Sequence, residues 1–329
     1  MGTFQFEGQR LAYSEYGGGP AAVTDRGTRG RTARSARAAG HPLILVHGLL
    51  LSQEMHRPLA EALAARGNRV ITIDLLGHGA SERPRDMWRY SMRFFGDQVV
   101  ALMDHLEIDE SVVMGTSLGA NTALYVALTA PDRLRGMVIE MPVLDNALLW
   151  SALAFTPLLA ALTFGEPVMK LVGRAARAVP RRVLPHYGNV ALDLVRQEPG
   201  PSAAVLQGLF FGRVAPHRTD RRQFETRALI LGHRRDPVHP FSDAGMLAEE
   251  LPNARLVEAE SFVELRLHPE RLTNEIAEFI DEVWAPVGEG RSTRPAPRKA
   301  RKRAAAASAS KPAKAAAKRP AKRSARASR

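Results

Sequence analysis

Short apolar segments alternate with helical segments along most of this chain, and this alternation restricts its fold more than any other feature. Eight segments have the length and the Val, Ile and Leu content of strands: 4–6, 11–15, 43–46, 70–73, 111–114, 137–141, 228–231 and 255–257. Helical periodicity separates most of them, as in R-P-L-A-E-A-L-A-A-R. We therefore predict an α/β fold with an eight-stranded, mostly parallel sheet and helices on both faces.

The alternation stops at residues 146–222, where only helical apolar segments and Pro or Gly breaks occur. We predict a helical cap there, inserted after the sixth strand into a core made of residues 1–145 and 223–286. The uncharged run 146–165 meets the length criterion for a membrane span, but Pro157, two Thr and a Ser interrupt it. We predict that it lines an apolar pocket, and we expect no transmembrane span.

Two segments have a biased, basic composition. Residues 287–329 contain 15 Lys and Arg and one acid, so they account for the net charge of +12, and the rest of the chain is nearly neutral. A segment this poor in large apolar residues cannot bury a core, so we predict a disordered tail. Its charge predicts non-specific binding of polyanions such as nucleic acid. The Arg-rich segment 24–40 predicts a disordered surface loop.

Several chemistries have no support in the sequence. The chain has no cysteine, which excludes disulfides, thiolate metal sites and a cysteine nucleophile. It contains no H-E-x-x-H motif, Walker glycine loop or Rossmann fingerprint, so we predict neither a metal nor a cofactor. The first residues show no basic stretch followed by an apolar run, and a cytoplasmic protein is therefore expected.

The sequence G-T-S-L-G, Gly115 to Gly119, lies between a predicted strand and a predicted helix. In that context G-x-S-x-G favours a nucleophile elbow, in which a sharp turn between small neighbours exposes the serine, Ser117. The backbone N–H of Leu118, at the start of the helix, can then point towards a developing oxyanion.

Together with this motif, three segments resemble the α/β-hydrolase fold family, over about residues 3–285. The resemblance of L-I-L-V-H-G-L-L (43–50) implies that Leu49 supplies a second oxyanion N–H. D-L-L-G-H-G-A-S (74–81) resembles a loop that is usually structural in the family. A-L-I-L-G-H-R-R-D-P-V-H-P (228–240) implies that Asp236 is the catalytic acid, with Asp145 as the fallback position. Relatives with an Asp or a Cys nucleophile are excluded by Ser117.

The expected position of the catalytic histidine holds no histidine. In the family this residue normally lies about seven residues before the Pro-Glu that opens the last helix, and the count ends here at Phe262. Three other histidines are close enough in the predicted topology: His239, His268 and His233. We predict His239 as the relocated base, because a residue at that distance after the acid commonly approaches the nucleophile in this family. His268 and His233 stay open as alternatives.

These residues predict a serine hydrolase that cleaves an ester or similar acyl bond of a small lipophilic substrate. Its catalytic residues would be Ser117, Asp236 and His239, with an oxyanion hole formed by Leu49 and Leu118. The alternative is a catalytically degenerate hydrolase fold that binds a ligand or a partner and is tethered to nucleic acid by its tail. Resemblance in fold cannot decide between these two functions.

Overall fold

A computed structural model describes residues 1–17, 40–236 and 238–286. Its strands form one eight-stranded sheet in the order β1-β2-β4-β3-β5-β6-β7-β8. The strands are β1 Gly2–Phe6, β2 Gln9–Tyr16, β3 Pro42–Val46, β4 Arg69–Asp74, β5 Ser111–Thr116, β6 Leu134–Glu140, β7 Ala228–His233 and β8 Ala254–Ala259. Only the pairs β1–β2 and β2–β4 are antiparallel. The predicted eight-stranded, mostly parallel sheet is confirmed.

Eleven α-helices accompany the sheet in the described residues. They are α1 Arg57–Ala64, α2 Met92–His105, α3 Leu118–Thr129, α4 Ala147–Phe164, α5 Glu166–Ala178, α6 His186–Arg196, α7 Pro199–Phe211, α8 Arg218–Arg221, α9 Phe241–Glu250, α10 Glu264–Leu267 and α11 Glu270–Trp284. Two segments were predicted to be disordered. Residues 24–39 of the first and the whole of the second, 287–329, lie outside the described residues, whereas Gly40 is described.

The sheet is buried on both faces because its strands carry apolar side chains in both directions. Along β3, Ile44 and Val46 belong to one hydrophobic cluster, whereas Leu43 and Leu45 belong to the other. Helices α2, α3 and α9 contribute to the first cluster, and helices α1 and α11 to the second. Strands such as β3, which are apolar at every position and covered by helices on both faces of the sheet, are typical of parallel sheets.

Helices α4 to α8 occupy the chain between β6 and β7, where the sequence predicts a helical cap. With the rest of the chain up to Pro286 they form one compact unit. Their treatment as a separate domain, 146–222, stays a prediction. By length and composition alone, α4 is the one helix of the described part that is long and apolar enough to cross a membrane, and only 11% of that span is buried.

Asp243, on α9, joins the start of this helical segment to the core. Its carboxylate is fully buried and accepts backbone N–H bonds from Leu144 at 2.8 Å, Asn146 at 3.1 Å and Ala147 at 3.0 Å. The first N–H groups of a helix have no partner within the helix, and a negative charge there is favourable. The carboxylate therefore fixes the position at which α4 leaves the sheet.

We expect Asp243→Ala to lower the free energy of unfolding by about 2–3 kcal/mol, because three buried N–H groups lose a charged acceptor. Urea denaturation followed by circular dichroism measures this loss. Asp132→Ala, which removes an exposed carboxylate, is the control and should change stability by less than about 0.5 kcal/mol. Similar small losses in both variants would show that Asp243 does not anchor α4.

Candidate active site

Ser117 lies in a sharp turn between β5 and α3, with φ 55° and ψ −107°. The turn requires glycine on both sides. A Cβ on Gly115 would approach the backbone of Gly119 to 2.0 Å, and a Cβ on Gly119 would lie 2.1 Å from the carbonyl oxygen of Val46. The local structure is therefore the sharp elbow between strand and helix that G-x-S-x-G predicts, a strained turn that holds the serine at the end of the strand.

A chain of hydrogen bonds joins Ser117 to His239 and Asp236. The hydroxyl oxygen of Ser117 is 2.8 Å from Nε2 of His239. Nδ1 of the same imidazole is 2.9 Å from Oδ2 of Asp236. The other oxygen, Oδ1, accepts the backbone N–H groups of Val238 at 2.8 Å and His239 at 2.9 Å. The loop after β7 thus carries an acid and a histidine in fixed mutual orientation.

The charge of Asp236 sets the tautomer of this histidine. A carboxylate can only accept, so Nδ1 of His239 carries the proton and Nε2 presents its lone pair to the Ser117 hydroxyl. Burial by itself would raise the pKa of the Asp236 carboxyl, but the hydrogen bonds from the side chain and backbone of His239 lower it overall. The Asp236 carboxyl is therefore ionised at neutral pH.

The other sequence candidates lie elsewhere. His268 is exposed at the end of α10 and does not line the pocket around Ser117. His233 is buried and donates from Nδ1 to the carbonyl of Ser261, 2.9 Å away. Asp145 lines the pocket, but the carboxylate on the imidazole is that of Asp236. Phe262, at the position expected for the histidine, is 48% exposed.

Leu49 and Leu118, the predicted oxyanion residues, both border the same pocket as Ser117 and His239. Leu118 is the first residue of α3, where no carbonyl of the helix is available to its N–H. The loop that carries Leu49 is fixed by His47, which donates from Nδ1 to the Gly48 carbonyl at 2.8 Å and accepts the Leu75 N–H at 3.1 Å. Burial lowers the pKa of His47, so the imidazole is neutral in this role.

The D-L-L-G-H-G-A-S loop has a structural role, as the resemblance implies. Asp74 accepts N–H groups from the backbone of Gln53 at 2.7 Å, its side-chain amide at 2.9 Å and the backbone of Ala80 at 2.9 Å. Gly79, at φ +49°, faces this carboxylate so closely that a Cβ would lie 2.1 Å from its atoms. The loop therefore holds the β4 end against the chain before α1, and none of its residues lines the pocket around Ser117.

A cavity of about 510 Å³ opens above Ser117 and His239. Its walls are mainly apolar and come from the helices between β6 and β7, including Leu148, Phe155, Leu206, Leu209 and Phe210. Arg218 and Arg221 also line the cavity, and both pair with the buried carboxylate of Glu250, at 2.9 Å and 2.6 Å. The cavity has the size and character of a site for a small, largely apolar molecule.

A buried polar network lies behind the elbow, and the sequence analysis missed it. The Glu140 backbone carbonyl accepts the Ser117 N–H at 2.9 Å. The Glu140 carboxylate accepts a hydrogen bond from the Thr116 hydroxyl and another from Arg266, at 2.7 Å. Arg266 belongs to α10, within the segment that normally carries the family's histidine. A charged residue at the end of the apolar strand M-V-I-E was the available signal for this network.

His233 completes the network from β7. Its Nε2 is 3.7 Å from Oε1 of Glu140, an ion-pair distance too long for a hydrogen bond. Burial opposes charge on both groups. The guanidinium of Arg266 and the imidazole of His233 nevertheless lower the pKa of Glu140, and the carboxylate raises that of His233. The two side chains therefore favour each other's charged form.

Residues 41–261 match the family profile described as alpha/beta hydrolase fold. The chain belongs to the α/β-hydrolase fold family. It is 27% identical to a 2-hydroxymuconate semialdehyde hydrolase from Pseudomonas putida, over 69% of this chain and 81% of that protein.

Two solved structures share the fold of this α/β-fold hydrolase. The enol-lactonase from Burkholderia xenovorans LB400 has a TM-score of 0.64 and 20% identity, and the match covers 85% of this chain and all of that chain. A thermophilic esterase from Thermogutta terrifontis also has a TM-score of 0.64, with 21% identity, over 86% of this chain and 97% of that one. At these identities the likeness concerns the fold alone.

Within residues 1–17, 40–236 and 238–286, no three His, Asp or Glu side chains are grouped closely enough to hold a metal ion. The expectation that this hydrolase needs neither metal nor cofactor stays a prediction from its sequence.

The Glu140–His233 pair predicts a specific dependence of stability on pH. The pKa of His233 is raised above its ordinary 6.5, so its contribution is complete below that pH and is lost as pH rises through the raised value. Glu140 has a lowered pKa, so its contribution is present above the ordinary 4.5 and is lost as pH falls towards the lowered value. We therefore expect the network to stabilise the protein most between pH 4.5 and pH 6.5, the ordinary pKa values of the two groups.

His233→Asn tests this window, because asparagine can still donate to Ser261 but cannot become charged. The variant should lose more unfolding free energy, relative to wild type, at about pH 6 than at about pH 8.5. Denaturation of both proteins at the two pH values measures the difference, and contributions from all other groups cancel. An equal loss at both values would mean that His233 is not charged in the folded protein.

Proposed function

We propose that this protein is a serine hydrolase that cleaves an ester or similar acyl bond of a small lipophilic substrate. Ser117 is the nucleophile, His239 is the general base, Asp236 orients that base, and the N–H groups of Leu49 and Leu118 bind the oxyanion. The observation that carries the proposal is the unbroken contact from the Ser117 hydroxyl through the imidazole of His239 to the Asp236 carboxylate.

The geometry supports acyl transfer in two stages. In the first, Oγ of Ser117 attacks the carbonyl carbon while its proton passes to Nε2 of His239. The tetrahedral oxyanion accepts hydrogen bonds from the N–H groups of Leu49 and Leu118. When it collapses, the bond to the leaving group breaks, and that group takes the proton from Nε2. Asp236 stays ionised and stabilises the imidazolium between these steps.

In the second stage, water enters in place of the leaving group. His239 accepts a proton from this water as its oxygen attacks the acyl carbon, and the same N–H groups bind the second oxyanion. Collapse breaks the bond to Ser117, whose Oγ recovers the proton from Nε2. The carboxylic acid product then leaves the pocket, and the protein returns to its starting protonation state.

The pocket supports a lipophilic acyl or alcohol group as the part of the substrate that is bound. Leu148, Phe155 and Leu206 contribute apolar surface. Of the arginines in the lining, Arg218 and Arg221 share the carboxylate of Glu250. A related protein acts on 2-hydroxymuconate semialdehyde, and similar folds occur in an enol-lactonase and an esterase. Activated esters of short fatty acids are therefore the first substrates to test.

Binding of polyanions by residues 287–329 and a cytoplasmic location remain predictions from the sequence. The tail lies outside the described residues. Both are independent of the catalytic proposal, because none of the residues named above belongs to the tail.

The rates of Ser117→Ala, His239→Ala and His268→Ala on p-nitrophenyl butyrate test the proposal. Removal of His239 should lower kcat by about 10²–10⁴-fold, because general-base assistance is lost. The loss should approach that of Ser117→Ala, since residues that act as one unit are not additive. His268→Ala is the matched control: it removes an exposed imidazole outside the pocket and should leave the rate unchanged.

Phe262→His distinguishes the alternative, a degenerate fold that only binds. If His239 is the working base, a second histidine at the family's usual position should add little activity. Negligible activity in wild type, followed by a sharp rise in Phe262→His, would contradict the proposal and show that the chain has lost its base. A loss in His268→Ala equal to that in His239→Ala would place the base at His268 instead.

A further inference from the structure

Helix α4 has two apolar faces with different surroundings. One face lines the pocket above Ser117 through Leu148, Ala152 and Phe155. The other points outward: Leu149 is 64% exposed and Leu153 is 59% exposed. A surface helix of a globular protein normally turns charged or polar residues towards water. The whole of α4 carries no charged residue, so this outward face is unusual for a helix in contact with water alone.

The exposed apolar surface continues along the chain into α5. Phe164, at the end of α4, is 87% exposed, and Val168 and Leu171 on α5 are about equally exposed, at 64% and 65%. Trp150 is also half-exposed, at 52%. We call the exposed side chains of Leu149, Trp150, Leu153, Phe164, Val168 and Leu171 the outer apolar face. A surface of this kind marks a site of interaction with a protein or a membrane.

The charges beside the outer apolar face are basic. Helix α5 carries Lys170, Arg174 and Arg177, all exposed, and only one acid, Glu166. That acid is already paired, at 3.0 Å with Lys170 and at 3.3 Å with Arg85. Within the described residues, Arg174 forms no ion pair. Exposed apolar side chains, a tryptophan and adjacent basic residues are the combination with which proteins bind the surface of an anionic bilayer.

The anchoring of α4 argues against a helix that crosses the bilayer. Its first N–H groups are bound to the buried carboxylate of Asp243 in the core. Near its other end, Leu162 is buried in the first hydrophobic cluster, to which α2, α3 and α9 also contribute. A spanning helix would lose both attachments and would remove Phe155 from the pocket wall. A helix that lies on the bilayer, in contact with the headgroups and the upper acyl chains, keeps both attachments and leaves Phe155 in the pocket wall.

We propose that the outer apolar face docks on the surface of an anionic phospholipid bilayer, with α4 lying in the interface plane. Leu148 and Phe210 line the pocket and are themselves 46% and 43% exposed, so the apolar pocket wall reaches the protein surface. Docking would place this opening beside the bilayer, from which lipophilic molecules enter. The docking itself does not depend on the proposed catalysis and is measured without it.

Flotation of the full-length chain with vesicles tests the proposal. Vesicles contain phosphatidylcholine and phosphatidylglycerol in equal amounts, or phosphatidylcholine alone. Wild type should bind the anionic vesicles more strongly, and part of the binding should persist at about 1 M salt, where electrostatic attraction is screened. Leu149→Ser/Leu153→Ser should weaken this salt-resistant binding by at least about tenfold, because two leucine side chains no longer leave water.

Leu267→Ser is the matched control. Leu267 is 58% exposed, as Leu153 is, but lies on α10, so its replacement should leave vesicle binding unchanged. All variants keep the basic tail, and differences among them therefore report on the outer apolar face. Equal binding by the double variant and wild type would overturn the proposal. Absence of vesicle binding by the wild type would also overturn it. Light scattering would then show whether the protein forms a dimer that buries this face instead.

Two further measurements define the depth of docking. In a Trp88→Phe background, lipids brominated on the upper acyl chain should quench Trp150 fluorescence, and Trp88→Phe/Trp150→Phe should lose that quenching. Extraction with alkaline carbonate should release the wild-type protein from vesicles. Retention after extraction would show a helix that spans the bilayer and would contradict a surface-bound α4.

Discussion

The backbone of Ser117 adopts a conformation, φ 55° and ψ −107°, that costs about 1–3 kcal/mol for a residue other than glycine. The packing around it holds this strain, since Gly119 lies directly against the Val46 carbonyl and the Ser117 N–H is bound by Glu140. The turn determines three things at once: where the hydroxyl points, where α3 begins, and which N–H is free at that helix start. The contact of the Ser117 hydroxyl with His239 and the position of the Leu118 N–H both depend on this turn.

The loop after β7 then supplies both partners of the serine. Asp236 and His239 are three residues apart, and the carboxylate binds the backbone as well as the imidazole of His239. The carboxylate and the imidazole are therefore oriented by one short segment. In the family's usual arrangement the histidine comes from the segment after the last strand. Here that segment provides Arg266, whose guanidinium binds Glu140 and Thr116 behind the elbow. Its contribution is to hold the turn and not to accept a proton.

Much of this could be predicted from the sequence, because the informative signals are local. Each strand is a short run of Val, Ile and Leu, and the elbow requires glycines at fixed spacing from Ser117. The proximity of His239 to Ser117 followed from the family's topology together with the acid at Asp236. What could not be predicted depends on contacts distant in the chain: the Glu140–Arg266 pair joins residues 126 positions apart.

The surroundings of the two faces of α4 also could not be predicted from the sequence. Its uncharged sequence, with no hydrophobic periodicity, correctly indicated a helix near an apolar pocket, but it could not show which residues would face the cavity. The outward exposure of Leu149 and Leu153 depends on how α4 packs against the core and its neighbours. The length and composition of this segment met the criterion for a membrane span, but they could not show which of its residues would stay exposed in the folded protein.

The rate at which a fluorophosphonate labels Ser117 tests the central claim, that His239 activates this serine, most directly. The reagent reacts with an activated serine and needs no knowledge of the substrate. The account predicts rapid labelling of the wild type, located on Ser117 by peptide mapping, and loss of most of that rate in His239→Ala with the fold retained. Equal labelling rates in wild type and His239→Ala would contradict it, as would a wild-type protein that is not labelled at all.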